Sequence, residues 1–401
     1  MATTRRNYDP RLLGLGLLAA GALGAAWVNK LQKQYAREGA PKLLDWERVR
    51  AIAHQIVRED EAAHGWHEGW EDYYREMVAQ CYPVITETMG RDLPVPLDKI
   101  KAFTRSEWID ANISNFAQLF EHIEVIYHRV QPQQNAGTLV MGEMSQTVLS
   151  SQLGILMGYL AKRVLGQYDL SLLGKEAVTT GQLYFVEPNI NGVVAELGLD
   201  PHDFRLWIAL HETTHAYEFE AYPWVREYFN SLLEEYFDYV SDDLVKYGSG
   251  LGSLSALIER TRSNMSSGDS WIESVMSPEQ RNLFNRLQAL MSIVEGYSNF
   301  IMNSVGERLL PSYQTIKERV EQRAARRGTA EKLFIRITGL ALKMEQYRMG
   351  ETFINAVVAK RGVEFANRVW EGPDKLPTLE ELRNPDQWMS RVAGSETRSE
   401  T

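Results

Sequence analysis

Residues 206–224 read LWIALHETTHAYEFEAYPW, and the two histidines in that run decide how the rest of the chain is read. His211 and His215 stand four residues apart. On an α-helix this spacing puts both imidazoles on one face, about 6 Å apart along the axis. Two nitrogen donors so placed can share one Zn2+. Glu212 is turned about 100° from His211, so it can flank a metal without ligating it. A carboxylate there suits a general base, taking a proton from a water that the metal has made acidic. The helix is expected over about 204–222, capped by Asp203 and stopped at Pro223. Leu206, Trp207, Ile208 and Leu210 flank the motif, so the histidines should be at least partly buried. The competing reading is two core histidines satisfied by hydrogen bonds, with Glu212 on the surface.

A catalytic zinc takes three protein ligands and keeps a fourth position for water. Glu218, Glu220, Glu234, Glu235 and Glu295 are the candidates for the third. Glu218 shares a helical face with His211, but it would have to bend back to reach the same ion. Glu234 falls among Glu227, Asn230, Asp238 and Ser241, the pattern of a solvated helix face. Glu295 instead shares its face with Phe284, Met291, Ser298 and Met302, and a carboxylate in such a stripe is costly unless paired or ligating. Gly296 beside it would let another backbone approach closely. Glu295 is therefore favoured over Glu234 and Glu235.

The rest of the chain reads as helix after helix. Apolar periodicity predicts helices over 44–57, 108–130, 144–165 and 224–247. Ser277-Pro278-Glu279-Gln280 is a capping box with proline at the first helical position, opening a helix to about Asn303. A basic-ended helix stops at Gly328, its Arg323, Arg326 and Arg327 complementing the dipole. Thr378 with Glu381, and Asn384 with Pro385, open two short terminal helices. The one strand-like run is Leu183–Val186, stopped by Pro188-Asn189. The expected fold class is mainly α with very little β. One helical domain is expected over 31–392, with an apolar segment before it (1–30) and a polar tail after it (393–401).

Composition sets limits on function. Hydrophobic residues make up 44% and charged residues 24% of the 401, a globular balance. A net charge of -10 argues against nucleic acid as a partner. Cys81 is the single cysteine, so disulfides within the chain and thiolate-rich metal sites are excluded. Leu12–Val28 carries no charge and lies between Arg5, Arg6 and Arg11 on one side and Lys30 on the other. At 17 residues it is at the short end for a membrane span. It reads as a signal anchor, a cleaved export signal, or a buried or interfacial helix. The location is accordingly open between membrane-anchored, cytoplasmic and exported.

Several runs carry a resemblance. GILMGYLAKRVLGQYDLSLLG (154–174), LYFVEPNI (183–190), DFRLWIALHETTH (203–215) and AYPWVREYF (221–229) resemble a family of zincin-like metallopeptidases. That family is often labelled as associated with deazaflavin-coenzyme biosynthesis. The likeness continues through SPEQRNLFNRLQALMSIVEGYSNFIMNSVG (277–306), GLALKMEQYRMGETFINAVV (339–358) and NRVWEGPDKLPTLEELRNPDQW (367–388), so it spans about Asp45–Arg391. The resemblance implies a zincin-like helical domain, His211 and His215 as zinc ligands, Glu212 as the catalytic glutamate and Glu295 as third ligand. Where the family more often reads Glu-Gly-His, this chain has Glu295-Gly296-Tyr297, which keeps the glutamate and loses a histidine. No Rossmann fingerprint or phosphate loop is visible, so no coenzyme site is expected.

Two functions follow as expectations. The first is a zinc-dependent hydrolase, a peptidase acting on a peptide or protein, with Tyr217, Tyr297 and Tyr347 as oxyanion candidates by chemistry alone. The alternative is a catalytically inactive metal-binding scaffold serving as an interaction module. Glu212 argues against that alternative, since a structural site needs no base between its ligands. Oligomeric state does not follow from these residues.

Overall fold

Fifteen of the twenty residues of the histidine-bearing helix are buried, so the rest of the molecule is built around it. The computed structural model describes residues 42–61, 69–130, 136–169, 181–247, 276–325 and 340–399. Among these, the helices are α1 (Trp46–Glu61), α2 (Trp70–Met89), α3 (Arg105–Val130), α4 (Ala136–Ala161), α5 (Glu187–Leu197), α6 (Pro201–Glu220) and α7 (Trp224–Tyr247). They continue with α8 (Pro278–Leu309), α9 (Tyr313–Ala325), α10 (Leu340–Arg361), α11 (Val363–Ala366), α12 (Leu379–Arg383) and α13 (Pro385–Ser399). Three short strands are β1 (Ile100–Phe103), β2 (Gly166–Asp169) and β3 (Gln182–Val186). The fold is mainly α with a small sheet, as expected. The apolar run at 12–28, the tail end at 400–401 and Arg326–Gly328 lie outside the described residues.

The sheet runs β1-β3-β2, with β1 parallel and β2 antiparallel to β3. β3 has a near-continuous apolar sequence because both its faces are covered. Leu183 and Phe185 enter the main core, while Val186 joins a second cluster with Val49, Trp108, Ile109 and Met157 of α1, α3 and α4. The sheet thus stands between the main core and the α1–α3–α4 unit. β1 and β2 were not expected. Their four-residue sequences, IKAF and GQYD, carry too little apolar alternation to read as strands, and pairing with β3 supplies what local pattern does not.

Element ends moved for physical reasons. α6 is capped by Asp200, not Asp203: the Asp200 side chain accepts from the backbone N–H groups of His202 and Asp203, both at 2.9 Å, with Pro201 at the first position. Asp203 is free for another task and accepts from the backbone N–H (2.9 Å) and hydroxyl (2.6 Å) of Ser312, tying α6 to the start of α9. The capping box at Ser277 and Gln280 forms as read, but α8 runs on to Leu309. α2 passes through Pro83 and closes on the left-handed Gly90, a helix that was not expected.

The start of α6 is held by a buried charge network. Arg205 and Glu187 form a salt bridge with each side chain 4% exposed. Tyr74 donates to Glu187 at 2.5 Å, and Arg205 also reaches Asn191 at 2.5 Å and the Pro201 carbonyl at 2.8 Å. Four elements, α2, α5, α6 and β3, meet here, the last through the Tyr74–Phe185 ring stack at 4.0 Å.

Candidate metal centre

α6 and α8 pack against each other, and α8 packs along α10. The second contact depends on two glycines. A Cβ added to Gly296 would lie 2.2 Å from the Gly350 carbonyl carbon, and one on Gly350 would lie 1.7 Å from the Ser292 oxygen. The backbones of α8 and α10 therefore touch beside Glu295, the close approach that Gly296 suggested. This sets the height at which Glu295 meets α6.

His211, His215 and Glu295 come together: one donor atom from each lies within 4.8 Å of the others. The two Nε2 atoms are 3.2 Å apart, and the Glu295 carboxylate is 3.8 Å from Nε2 of His215. Zinc–nitrogen bonds of about 2.0–2.1 Å in a tetrahedron place two donors about 3.3 Å apart. The imidazole pair is close to that edge and the carboxylate is within about half an ångström of it on the His215 side, and a nitrogen–nitrogen–oxygen donor set suits zinc. Among the described residues this is the one cluster of its kind. Cys81 takes no part: it is buried on α2 and donates to the Met77 carbonyl at 3.2 Å.

The other glutamates have separate places. Glu218, fully buried, pairs with Nδ1 of His215 at 2.8 Å, and the Ser298 hydroxyl sits 3.2 Å from the same nitrogen and 3.3 Å from Glu218. With Nδ1 engaged by Glu218, Nε2 is the nitrogen of His215 that faces the cluster. Burial, and next the nearby Glu295 charge, hold the Glu218 carboxyl well above its ordinary pKa, against the Ser298 hydrogen bond. Glu220 accepts from the Gly181 N–H at 2.7 Å, from Arg226 at 2.6 Å and from the Tyr168 hydroxyl. Glu234 and Glu235 are exposed on α7, and Glu235 faces Arg286 at 3.7 Å.

Glu212 is buried, and its side chain lies against β2. A Cβ on Gly166 would fall 2.7 Å from Cγ of Glu212, so glycine is what lets the edge strand pass over this carboxylate. Two oxyanion candidates are engaged elsewhere. The Tyr217 hydroxyl pairs with Thr86 at 2.9 Å, and that of Tyr297 donates to Asn367. Both fasten the core to α2, since Asn367 also donates to the Thr88 carbonyl at 3.0 Å. The side chain of Tyr347 lies outside the described residues.

What the sequence did not single out is the bracing around the cluster. Ser298 stands three residues after Glu295, as Glu218 stands three after His215, so each helix offers one candidate donor and one brace a turn later. That repeated spacing was the available signal.

Residues 44–389 match a family model described as zincin-like metallopeptidase. The chain is also similar to a crystal structure from Chloroflexus aurantiacus described as that of a candidate hydrolase with a novel fold. The identity is 44% and the TM-score 0.65, over 87% of this chain and 99% of that one. No curated protein matches the chain.

Proposed function

The chain belongs to the zincin-like metallopeptidase family, and on that premise we propose that it is a zinc-dependent hydrolase of peptide bonds. The observation that carries the proposal is the convergence within 4.8 Å of Glu295 on α8 with His211 and His215 on α6, the helix that also bears Glu212. When bound, zinc would polarise the scissile carbonyl and make water a stronger acid. His211, His215 and Glu295 would hold it as a three-donor set, which leaves room for substrate. Glu212 takes the proton of the attacking water and delivers it to the departing amine.

β2 supports a peptide as the substrate. It is the outer strand of the sheet β1-β3-β2, it passes over Glu212 at Gly166, and an extended peptide can pair with such an edge. The buried position of Glu212 suits proton transfer in a site that excludes water.

The test is Glu212→Gln. It should lower turnover of a peptide substrate by about 10²- to 10⁴-fold while the protein still binds one zinc. Full activity in this variant would sink the mechanism. Zinc binding without turnover in the wild type, across a broad peptide library, would favour a binding module.

A further inference from the structure

We infer that Gln167 is a positioning residue for the hydrolysis proposed above: its carboxamide keys β2 to α3 in the one register that lays a glycine over Glu212. The inference rests on Glu212 as the base of that reaction. β2 has four residues, GQYD (166–169), and among the described residues it pairs with β3 alone. A short polar strand with a single ladder specifies its own register weakly. Here the register matters. A Cβ at position 166 would lie 2.7 Å from Cγ and 2.9 Å from Oε1 of Glu212, so only glycine fits there. A slip of two residues would bring Val164 or Tyr168 over the carboxylate, and a slip of one would turn Gln167 towards it.

The ladder does not hold Gly166 directly. The Val186 N–H donates to the Leu165 carbonyl at 2.8 Å, which makes Leu165–Val186 a bonded pair and, by alternation, Gln167–Tyr184 the next. Gly166, opposite Phe185, falls between them, and its own N–H and carbonyl point away from β3. Its height over Glu212 is therefore set by its two neighbours. Of these, Gln167 is the one whose side chain can hydrogen-bond.

Gln167 lies on the face of β2 opposite Gly166 and Tyr168. Its Oε1 accepts from the indole N–H of Trp108 at 2.8 Å, and its Nε2 donates to Oδ1 of Asn112 at 3.1 Å. Trp108 and Asn112 stand one turn apart on α3. Asn112 donates to the Trp108 carbonyl at 2.9 Å, which turns its oxygen towards Gln167. Both are buried, at 3% and 5% exposure, and Trp108 packs with Val49, Met157 and Val186 in the second core cluster. Acceptor and donor of one carboxamide thus meet a donor and an acceptor fixed in the core. A shift of β2 by one residue, about 3.4 Å, would break both bonds and turn the side chain to the wrong face. On the α6 face Tyr168 donates to Glu220 and accepts from Arg226 at 3.1 Å, so the strand is gripped from both sides.

The test joins a thermal cycle to kinetics on the full-length, zinc-loaded protein. Gly166→Ala presses a methyl against Glu212 and should lower Tm. In a Gln167→Leu background, where β2 can lift away, the same change should lower Tm by about half as much or less. Gln167→Leu alone should keep zinc affinity and helical content and lower kcat on a peptide substrate by about 10- to 100-fold. Trp108→Phe/Gln167→Leu removes donor and acceptor together and carries the same test should the single variant not fold. Equal Tm losses for Gly166→Ala in the two backgrounds would overturn the inference. So would a Gln167→Leu protein with lowered Tm and intact kcat, the result expected of a carboxamide that only satisfies Trp108. A wild type that cleaves no peptide would strike the hydrolase reading instead, and the Tm cycle would still decide whether Gln167 keys the strand.

Discussion

Glu218 and Glu295 are both carboxylates beside His215, and their environments separate their tasks. Glu295 approaches Nε2, on the side of the cluster, while Glu218 holds Nδ1 from inside the core. Such a brace fixes the orientation of the ring before any metal arrives. Glu218→Ala should therefore weaken zinc binding by about 10- to 100-fold, measured by competition with a chelator, with His211→Ala as the variant that abolishes it. Unchanged affinity would reduce Glu218 to a packing residue. At Gly296 the constraint is steric. Gly296→Ala drives a methyl into the Gly350 backbone and should cost at least about 1–3 kcal/mol, read as a fall in Tm. The histidine pair, Glu212, Glu295 and Gly296 were legible because helical spacing and apolar context mark them locally. Ser298 was visible only as a neighbour of Glu295, since its partner comes from another helix.

At the scale of elements, α6 is oriented from both ends. Its start is fixed by Arg205 against Glu187 and its end by Glu220 against Tyr168 and Arg226. Arg205→Met would leave Glu187 buried without its cation and should cost about 3–5 kcal/mol. Adding Glu187→Gln to that variant should return part of the loss, and calorimetry of the four proteins measures the coupling. This network was not legible in the sequence: its members lie on three helices, and Arg205 reads locally as one polar residue in an apolar run. The helices themselves were legible from 3.6-residue periodicity, whereas β1 and β2 exist only because β3 pairs with them. The Asp200-for-Asp203 exchange at the helix start shows a similar limit. Two acids three residues apart can each cap, and the tertiary partner Ser312 decides which does.

Across the whole molecule, the C-terminal helices pack on the core through Leu382, Trp388 and Val392 and are also tied by a polar clamp. Arg391 on α13 bonds Glu381 at 2.7 Å and the Leu376 carbonyl at 2.8 Å. Burial raises the Glu381 pKa, but Arg391 and the Thr378 hydrogen bonds outweigh it, and the folded value is lowered. Its contribution is therefore full above the unfolded carboxylate pKa and is lost as pH falls through the folded one. Glu381→Gln should flatten the acid limb of the stability profile while leaving less difference at pH 3 than at pH 7. An equal loss at both pH values would contradict this assignment.

Tyr168 and Gly181 are joined through a single carboxylate, that of Glu220. The eleven-residue stretch of 170–180 is therefore flanked on both sides by one shared knot. A protease cut within it would sever the polypeptide without setting either end adrift. With Tyr168 and Gly181 held by that carboxylate, a change of length between them should leave β2 in place beside Glu212.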